Sequence, residues 1–207
     1  MNIEDNFKRN SKDNFDKQAC DYENGHDGRF VKIMYNEIVR RVEKINPESI
    51  LDVGCGTGNI LSILRQKCDS KLYGMDISEN MIKKAKMKLG KYAEFKVGDS
   101  EFMPWKDNSF EMVVCNASFH HYPNPEKVLS EMKRVLVPKG TLIIGDPTAP
   151  FIFRQLLNFC CKRGSTGDYR IYSMRELEGM LEKCGLHVFE ASKINYKSFA
   201  LSACSIK

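Results

Sequence analysis

Residues 49–59 read Ser-Ile-Leu-Asp-Val-Gly-Cys-Gly-Thr-Gly-Asn. Ile50, Leu51 and Val53 make a short apolar run of the kind that becomes a buried parallel strand. Gly54, Gly56 and Gly58 follow at once, and then Ile60, Leu61, Ile63 and Leu64 recur at helical spacing. The pattern predicts a strand that breaks into a glycine turn and re-emerges as a helix. Such a turn leaves free backbone N–H groups beside an open crevice, where the helix dipole favours negative groups. A dinucleotide site would space its glycines G-x-G-x-x-G, with the third serving close helix packing. Here the spacing is one residue shorter, which argues against that ligand. A tight turn that binds nothing is the plain alternative, but it has no need of three spaced glycines.

Leu51 to Asn59, with Asp52 placed just before the glycines, resembles the first motif of the class I S-adenosylmethionine-dependent methyltransferases. The resemblance implies S-adenosylmethionine as cofactor, S-adenosylhomocysteine as product, and a turn that holds the methionine part. The adenosine half carries a ribose diol and an exocyclic amine, both suited to carboxylate acceptors at the ends of the following strands. Lys71 to Met75 reads as a second strand ending at Asp76, and Tyr92 to Val97 as a third ending in Gly98-Asp99-Ser100. By resemblance Asp76 takes the ribose hydroxyls and Asp99 the adenine amine, while Ile77, Met81 and Ser100 line the base pocket. Asp52, Gly54, Cys55, Gly56, Gly58, Gly98, Asn116 and Ala117 complete the expected cofactor set. Each Asp has an ordinary alternative as a helix N-cap. For Asp76 the better cap is Ser78, which opens a helix through Leu89.

The similarity continues through Met103-Pro104-Trp105, a fourth strand at Phe110 to Asn116, and the helix Pro125 to Leu136. A Pro138-Lys139-Gly140 turn then leads into a fifth strand, Thr141 to Asp146. It covers about residues 49 to 146 and is closest to the small-molecule group that includes the ubiquinone- and menaquinone-biosynthesis enzymes. The fold it implies is α/β: a Rossmann-like, doubly wound, mostly parallel seven-stranded sheet with helices on both faces. Two strand-like runs at the end, His187 to Ile194 and Tyr196 to Cys204, suit an antiparallel C-terminal edge hairpin.

Length and composition agree. The chain has 207 residues, 42% hydrophobic and 29% charged, which is ordinary for one compact globular domain spanning residues 1–207. It divides into an N-terminal part (1–46), a cofactor-binding core (47–146) and a substrate-side insert with the terminal hairpin (147–207). No apolar run approaches the ~18 residues of a membrane helix, and residues 1–17 do not read as a secretory signal. Eight cysteines include no C-x-x-C and no histidine at ligand spacing, so reduced thiols in a cytoplasmic protein and no metal are expected. The net charge of +5 comes largely from lysines at 83, 84, 86, 88 and 91, which fit the wet face of one helix. Nothing there argues for nucleic acid.

Two flanks bear on the acceptor. Many relatives carry an F-D-x-x-A-x-x-Y-D segment that folds over the cofactor as a lid. This chain keeps Phe15, Asp16, Ala19 and Tyr22, with Glu23 in the last place, ahead of a helix at about Gly28 to Lys44. Tyr22 is expected either to close on the methyl group or, with Phe15, to form the apolar face of a packed helix. Phe151, Phe153, Leu156, Leu157 and Phe159 predict an amphipathic helix that lines an acceptor pocket or joins the core. Residues 162–168 then read as a mobile loop, and Ser173 with Glu176 as a capping box. His120 and His121 follow the fourth strand, and His121 is the candidate base for an acceptor that must lose a proton. The reading is methyl transfer to a small-molecule acceptor. Its competitors are a cofactor-binding regulator without turnover, an RNA or protein methyltransferase, and an NAD-dependent oxidoreductase that the glycine spacing disfavours.

Overall fold

The computed structural model describes residues 3–161 and 167–205. Seven strands form one sheet in the order β3-β2-β1-β4-β5-β7-β6. Strands β1 (Ser49–Val53), β2 (Lys71–Asp76), β3 (Ala93–Val97), β4 (Phe110–Asn116) and β5 (Leu136–Pro147) pair in parallel. Strands β6 (Leu186–Asn195) and β7 (Ser198–Ser205) add the antiparallel edge, with β7 against β5. This is the expected fold. The order reverses beside β1, which lies between β2 and β4, so a crevice opens there at the carboxyl ends of the strands.

Both faces of the sheet are covered, which is why its central strands read as near-continuous apolar runs. On one face Leu51, Val53 and Val113 pack with Val128, Leu129 and Met132 of α5 (Pro125–Val135) and with Leu177 and Leu181 of α7 (Met174–Lys183). On the other, Ile50, Met112 and Val114 meet Met34, Ile38 and Val42 of α2 (His26–Ile45). Those three recur every fourth residue and are fully buried, each contributing about 1.5–3 kcal/mol by leaving water. Helices α3 (Asn59–Leu64) and α4 (Glu79–Leu89) close the same face. Ser78 caps α4 by accepting from the Met81 amide, and Ser173 with Glu176 forms the predicted capping box of α7.

Some boundaries move for local reasons. The Pro138-Lys139-Gly140 turn lies inside β5 as an irregularity, because pairing with β4 runs on both sides of it: Phe110 aligns with Leu136 and Met112 with Thr141. Tyr196 is part of a turn, since the Asn195 side chain accepts from the Lys197 amide at 2.7 Å and ends β6. The largest correction concerns α6 (Phe151–Cys161). Its apolar residues neither join the core nor line the central cavity; Phe151, Phe153, Leu156, Leu157 and Phe159 are all exposed. The reason is that the helix turns its polar side chains inward. Asn158 exchanges two hydrogen bonds with the Ile171 backbone (3.0 and 2.7 Å), and Arg154 reaches Glu176 at 3.4 Å. The loop read at 162–168 lies outside the described residues except for Gly167 and Asp168. Among the described residues no helix is long and apolar enough to cross a membrane.

Candidate functional site

The β1–α3 turn is shaped by three left-handed glycines, Gly54 (φ 74°), Gly56 (φ 52°) and Gly58 (φ 75°). A Cβ on Gly54 would strike the Ser118 hydroxyl at 1.9 Å, whereas one on Gly56 would meet nothing within 4 Å. Gly56 therefore borders open space that a ligand can enter. The turn does not present a row of free amides, contrary to the sequence expectation. The amides of Gly54 and Cys55 both donate to the Met75 carbonyl at 2.9 Å, and that of Gly56 donates to Asp76 Oδ2 at 2.9 Å. These bonds lash the turn to the end of β2. Recognition falls instead to shape and to carboxylates.

Asp52, Asp76, Asp99 and Asn116 reach one cavity from the carboxyl ends of four strands. Asp52 is buried and Asp76 half-buried. Burial pushes Asp52 up to about 8, helped by the charge of Asp76. Asp76 is pushed up to about 6 by burial, against which the amides of Ser78 and Gly56 work. Two carboxyls at one cavity, with no cation between them among the described residues, favour a positively charged ligand. Asn116 Oδ1 is buried with no hydrogen-bond partner, and Ala117 is held at φ 52° with its amide on the Gly145 carbonyl at 2.7 Å. An orphaned acceptor and a strained non-glycine residue at the same cavity are the marks of a site awaiting a ligand.

Asp99 does open a turn, accepting from the Glu101 amide at 2.9 Å, but its other oxygen pairs with Lys8 at 2.8 Å. Lys8 belongs to α1 (Ile3–Gln18), which also ties Asp16 to the Ser78 hydroxyl (2.6 Å) and the Asn80 amide (3.1 Å). Helix α1 is thus fastened across the cavity. Phe15 and Tyr22 both line it, with their rings 6.2 Å apart. Tyr22 lies in the turn after α1 and not on a helix; it packs on Phe15 and faces the cavity, and burial raises its hydroxyl pKa.

Ile77, Met81, Cys55, Gly98, Ser100 and His121 line the same space. Gly58 alone of the expected set stands apart. A Cβ there would press on Ala85 at 3.3 Å and on Leu89 and Phe95 at 3.5 Å, so its work is helix packing. Sequence reasoning missed Lys8, Tyr35 and the hydrogen-bonded pair Ser118–Tyr122 (2.7 Å). The Ser118-to-Tyr122 stretch after β4 was the available signal for that pair.

His120 and His121 lie on a 3-10 turn, Phe119–His121, with ring centroids 4.0 Å apart. His120 Nδ1 meets Asp146 Oδ1 at 3.0 Å; burial opposes its charge, yet Asp146 and Asp168 hold its pKa above the usual value. Burial, followed by the charge of His120, pushes His121 down to about 3. His121 Nδ1 lies 3.2 Å from both the Gly167 carbonyl and Asp168 Oδ1; with the hydrogen on that nitrogen, Nε2 is left as the acceptor of the neutral ring.

A family profile described as a methyltransferase domain matches residues 51–144. Uncharacterized protein MJ1252 of Methanocaldococcus jannaschii is 30% identical over 203 residues, 87% of this chain and 78% of that protein. The chain belongs to the class I S-adenosylmethionine-dependent methyltransferases. A demethylmenaquinone methyltransferase of Thermotoga maritima is 35% identical over 114 residues, 55% of this chain. The match spans 49% of that relative's length. A solved S-adenosylmethionine-dependent methyltransferase from Aquifex aeolicus has a TM-score of 0.64 at 25% identity, covering 80% of this chain and 88% of that one. S-adenosylmethionine is the methyltransferase cofactor, and the residues here fit it: a cation-seeking pair of acids, an orphaned amide oxygen, and an open face at Gly56.

Proposed function

We propose that this chain transfers a methyl group from S-adenosylmethionine to a small-molecule acceptor and releases S-adenosylhomocysteine. The observation that carries the reading is the convergence of buried Asp52 and half-buried Asp76 on one cavity beneath a glycine turn. S-adenosylmethionine carries an ammonium and a sulfonium, the charges those acids lack. Asp52 is assigned to the amino-acid end of the cofactor, Asp76 to the ribose hydroxyls, and Asp99 to the adenine side with Ile77, Met81 and Ser100. Asn116 and Ala117 take the middle of the ligand.

The bound cofactor supplies an electrophilic sulfonium methyl. What the chain adds is position and dryness, and holding an acceptor in line can lower a barrier by about 7–11 kcal/mol. Phe15, Tyr22 and His121 close the acceptor side. The ring of Phe15 lies edge-on to His121 at 5.0 Å, which keeps water from the imidazole. Neutral His121 offers Nε2 to an acceptor hydroxyl and positions it. Eight free thiols, with Cys55 buried at the cavity wall, support a reducing, cytoplasmic setting.

Formation of S-adenosylhomocysteine by the purified protein across a panel of small-molecule acceptors tests the reading. Tight cofactor binding with no transfer to any acceptor would leave a cofactor-sensing regulator instead.

A further inference from the structure

Helix α6 is built inside out. Arg154, Asn158 and Cys161, at i, i+4 and i+7, face the protein, and the polar pair is consumed by Glu176 and the Ile171 backbone. The opposite face carries Ile152 (78% exposed), Phe153 (64%), Leu156 (61%) and Phe159 (55%). An apolar stripe of that size on a surface marks an interaction site. The inward polar bonds fix the helix in this orientation, so the stripe is not a mispacked core face.

The surroundings bear on what covers it. Between Asp146 and Asp168 the sequence holds no aspartate or glutamate; Lys162 and Arg163 directly follow the helix in the sequence, while Arg154 is spent inward on Glu176. The β6–β7 turn adjoins the start of the helix through a 2.7 Å bond from the Thr148 amide to the Lys197 carbonyl. That turn adds Tyr196, 73% exposed, and the Lys197 ammonium lying 5.2 Å from its ring. The face is aromatic-rich, and the exposed Lys197 stands beside its start. A protein partner would have to supply a matching groove, whereas lipid conforms to a ridge. Helices with this composition lie in the bilayer interface with the apolar face buried, and basic neighbours add attraction to anionic lipids.

We propose that α6, with the Tyr196–Lys197 turn, docks this protein on an anionic lipid surface, lying on the bilayer without crossing it. The helix takes no part in the cofactor cavity, so docking and cofactor binding are separable. Flotation of the purified full chain with vesicles of phosphatidylcholine alone, or with part replaced by phosphatidylglycerol, tests it. The expected result is binding at least about tenfold stronger to the anionic vesicles. The double variant Ile152→Glu, Leu156→Glu is expected to lose roughly a hundredfold of that binding. The melting-temperature rise with S-adenosylhomocysteine should survive in the variant. Failure to bind either vesicle overturns the proposal, as does equal binding by the variant. A sedimentation dimer that the variant dissociates, with no vesicle binding, would assign the ridge to a second copy of the chain instead.

Discussion

The Gly56 amide donates to the Asp76 carboxylate across 2.9 Å, joining the glycine turn to the end of the neighbouring strand. The other oxygen of Asp76 accepts from the Ser78 amide at 2.9 Å. One side chain therefore shapes the turn, holds the Ser78 that caps α4 and faces the cavity. Asp76→Ala is expected to weaken S-adenosylhomocysteine binding roughly tenfold to a hundredfold, the loss of one or two charge-assisted hydrogen bonds. Asp76→Asn, which keeps an acceptor oxygen, should fall between wild type and alanine. Calorimetric titration reads this. An unchanged dissociation constant with a lowered melting temperature would reduce Asp76 to a structural tie.

Asp52 makes the cavity pH-sensitive. Its pKa in the fold is pushed up to about 8, above the unfolded value of ~3.9. The fold thus retains a proton that the unfolded chain gives up, and ligand-free stability falls as pH rises from about 4 to about 8. Asp52→Asn should remove that slope and raise the ligand-free melting temperature at pH 8, by about 2–4 °C for each kcal/mol relieved. A cationic ligand draws the carboxyl into its charged form, so binding near neutrality should release a proton in wild type and not in the variant. Titrations in two buffers of different ionisation heat count that proton. Equal heats in both would show that Asp52 does not meet the ligand's charge.

What the sequence revealed was local or periodic. The glycine turn, the acids at strand ends and the Ser78 and Ser173 caps depend on residues within a few positions of one another, so they were legible. Recognition of the family carried the strand order beyond that. The direction α6 faces was not legible, because its apolar stripe is compatible with either orientation. Its outward turn is set by Asn158 bonding to Ile171, thirteen residues on. The free amides expected of the turn were absent because the Met75 carbonyl, supplied by another strand, takes two of them. Lys8 at Asp99 spans 91 residues, a separation no spacing rule reaches.

Tyr22 faces the cavity while packing on Phe15. Tyr22→Phe keeps the packing and removes only the hydroxyl, so it should leave cofactor affinity within about twofold and lower turnover more, an effect confined to kcat. Tyr22→Ala should do the same with added loss of stability, since it opens a void. Steady-state kinetics beside calorimetry separates the two effects. Equal losses of affinity and kcat in the phenylalanine variant would place the hydroxyl on the cofactor.

Burial and the charge of His120 push His121 down, against the pull of Asp168, so the imidazole is expected to be neutral between about pH 7 and pH 9. It therefore adds no titration limb to turnover in that range, although His121→Asn should lower kcat by roughly a hundredfold through loss of acceptor positioning. The pH–rate profiles of wild type and variant should be parallel. A limb near the ordinary histidine value, present in wild type and missing from the variant, would mean that the imidazole titrates during the reaction.

Arg41 is the charge on which the C-terminal hairpin rests. Its guanidinium is completely buried and reaches Glu37 Oε1 (2.8 Å), Ser202 Oγ (2.8 Å), Ser192 Oγ (2.7 Å) and the Glu190 carbonyl (3.1 Å). Helix α2 is thereby bolted to β6 and β7. Arg40 and Arg41 together hold the Glu37 carboxyl down at about 2. Arg41→Met fills much of the volume but strands the Ser202 hydroxyl and the Glu190 carbonyl, leaving Ser192 only its 3.3 Å bond to Glu37, and breaking such a buried network costs roughly 3 kcal/mol, about 6–12 °C in melting temperature. Arg41→Lys keeps the charge without the planar fork, so its loss should be smaller but plain. Because the network lies away from the cavity, S-adenosylhomocysteine affinity below the melting transition should hold in both variants. A melting temperature unchanged in Arg41→Met would mean that the serines find other partners and that apolar packing alone seats the hairpin.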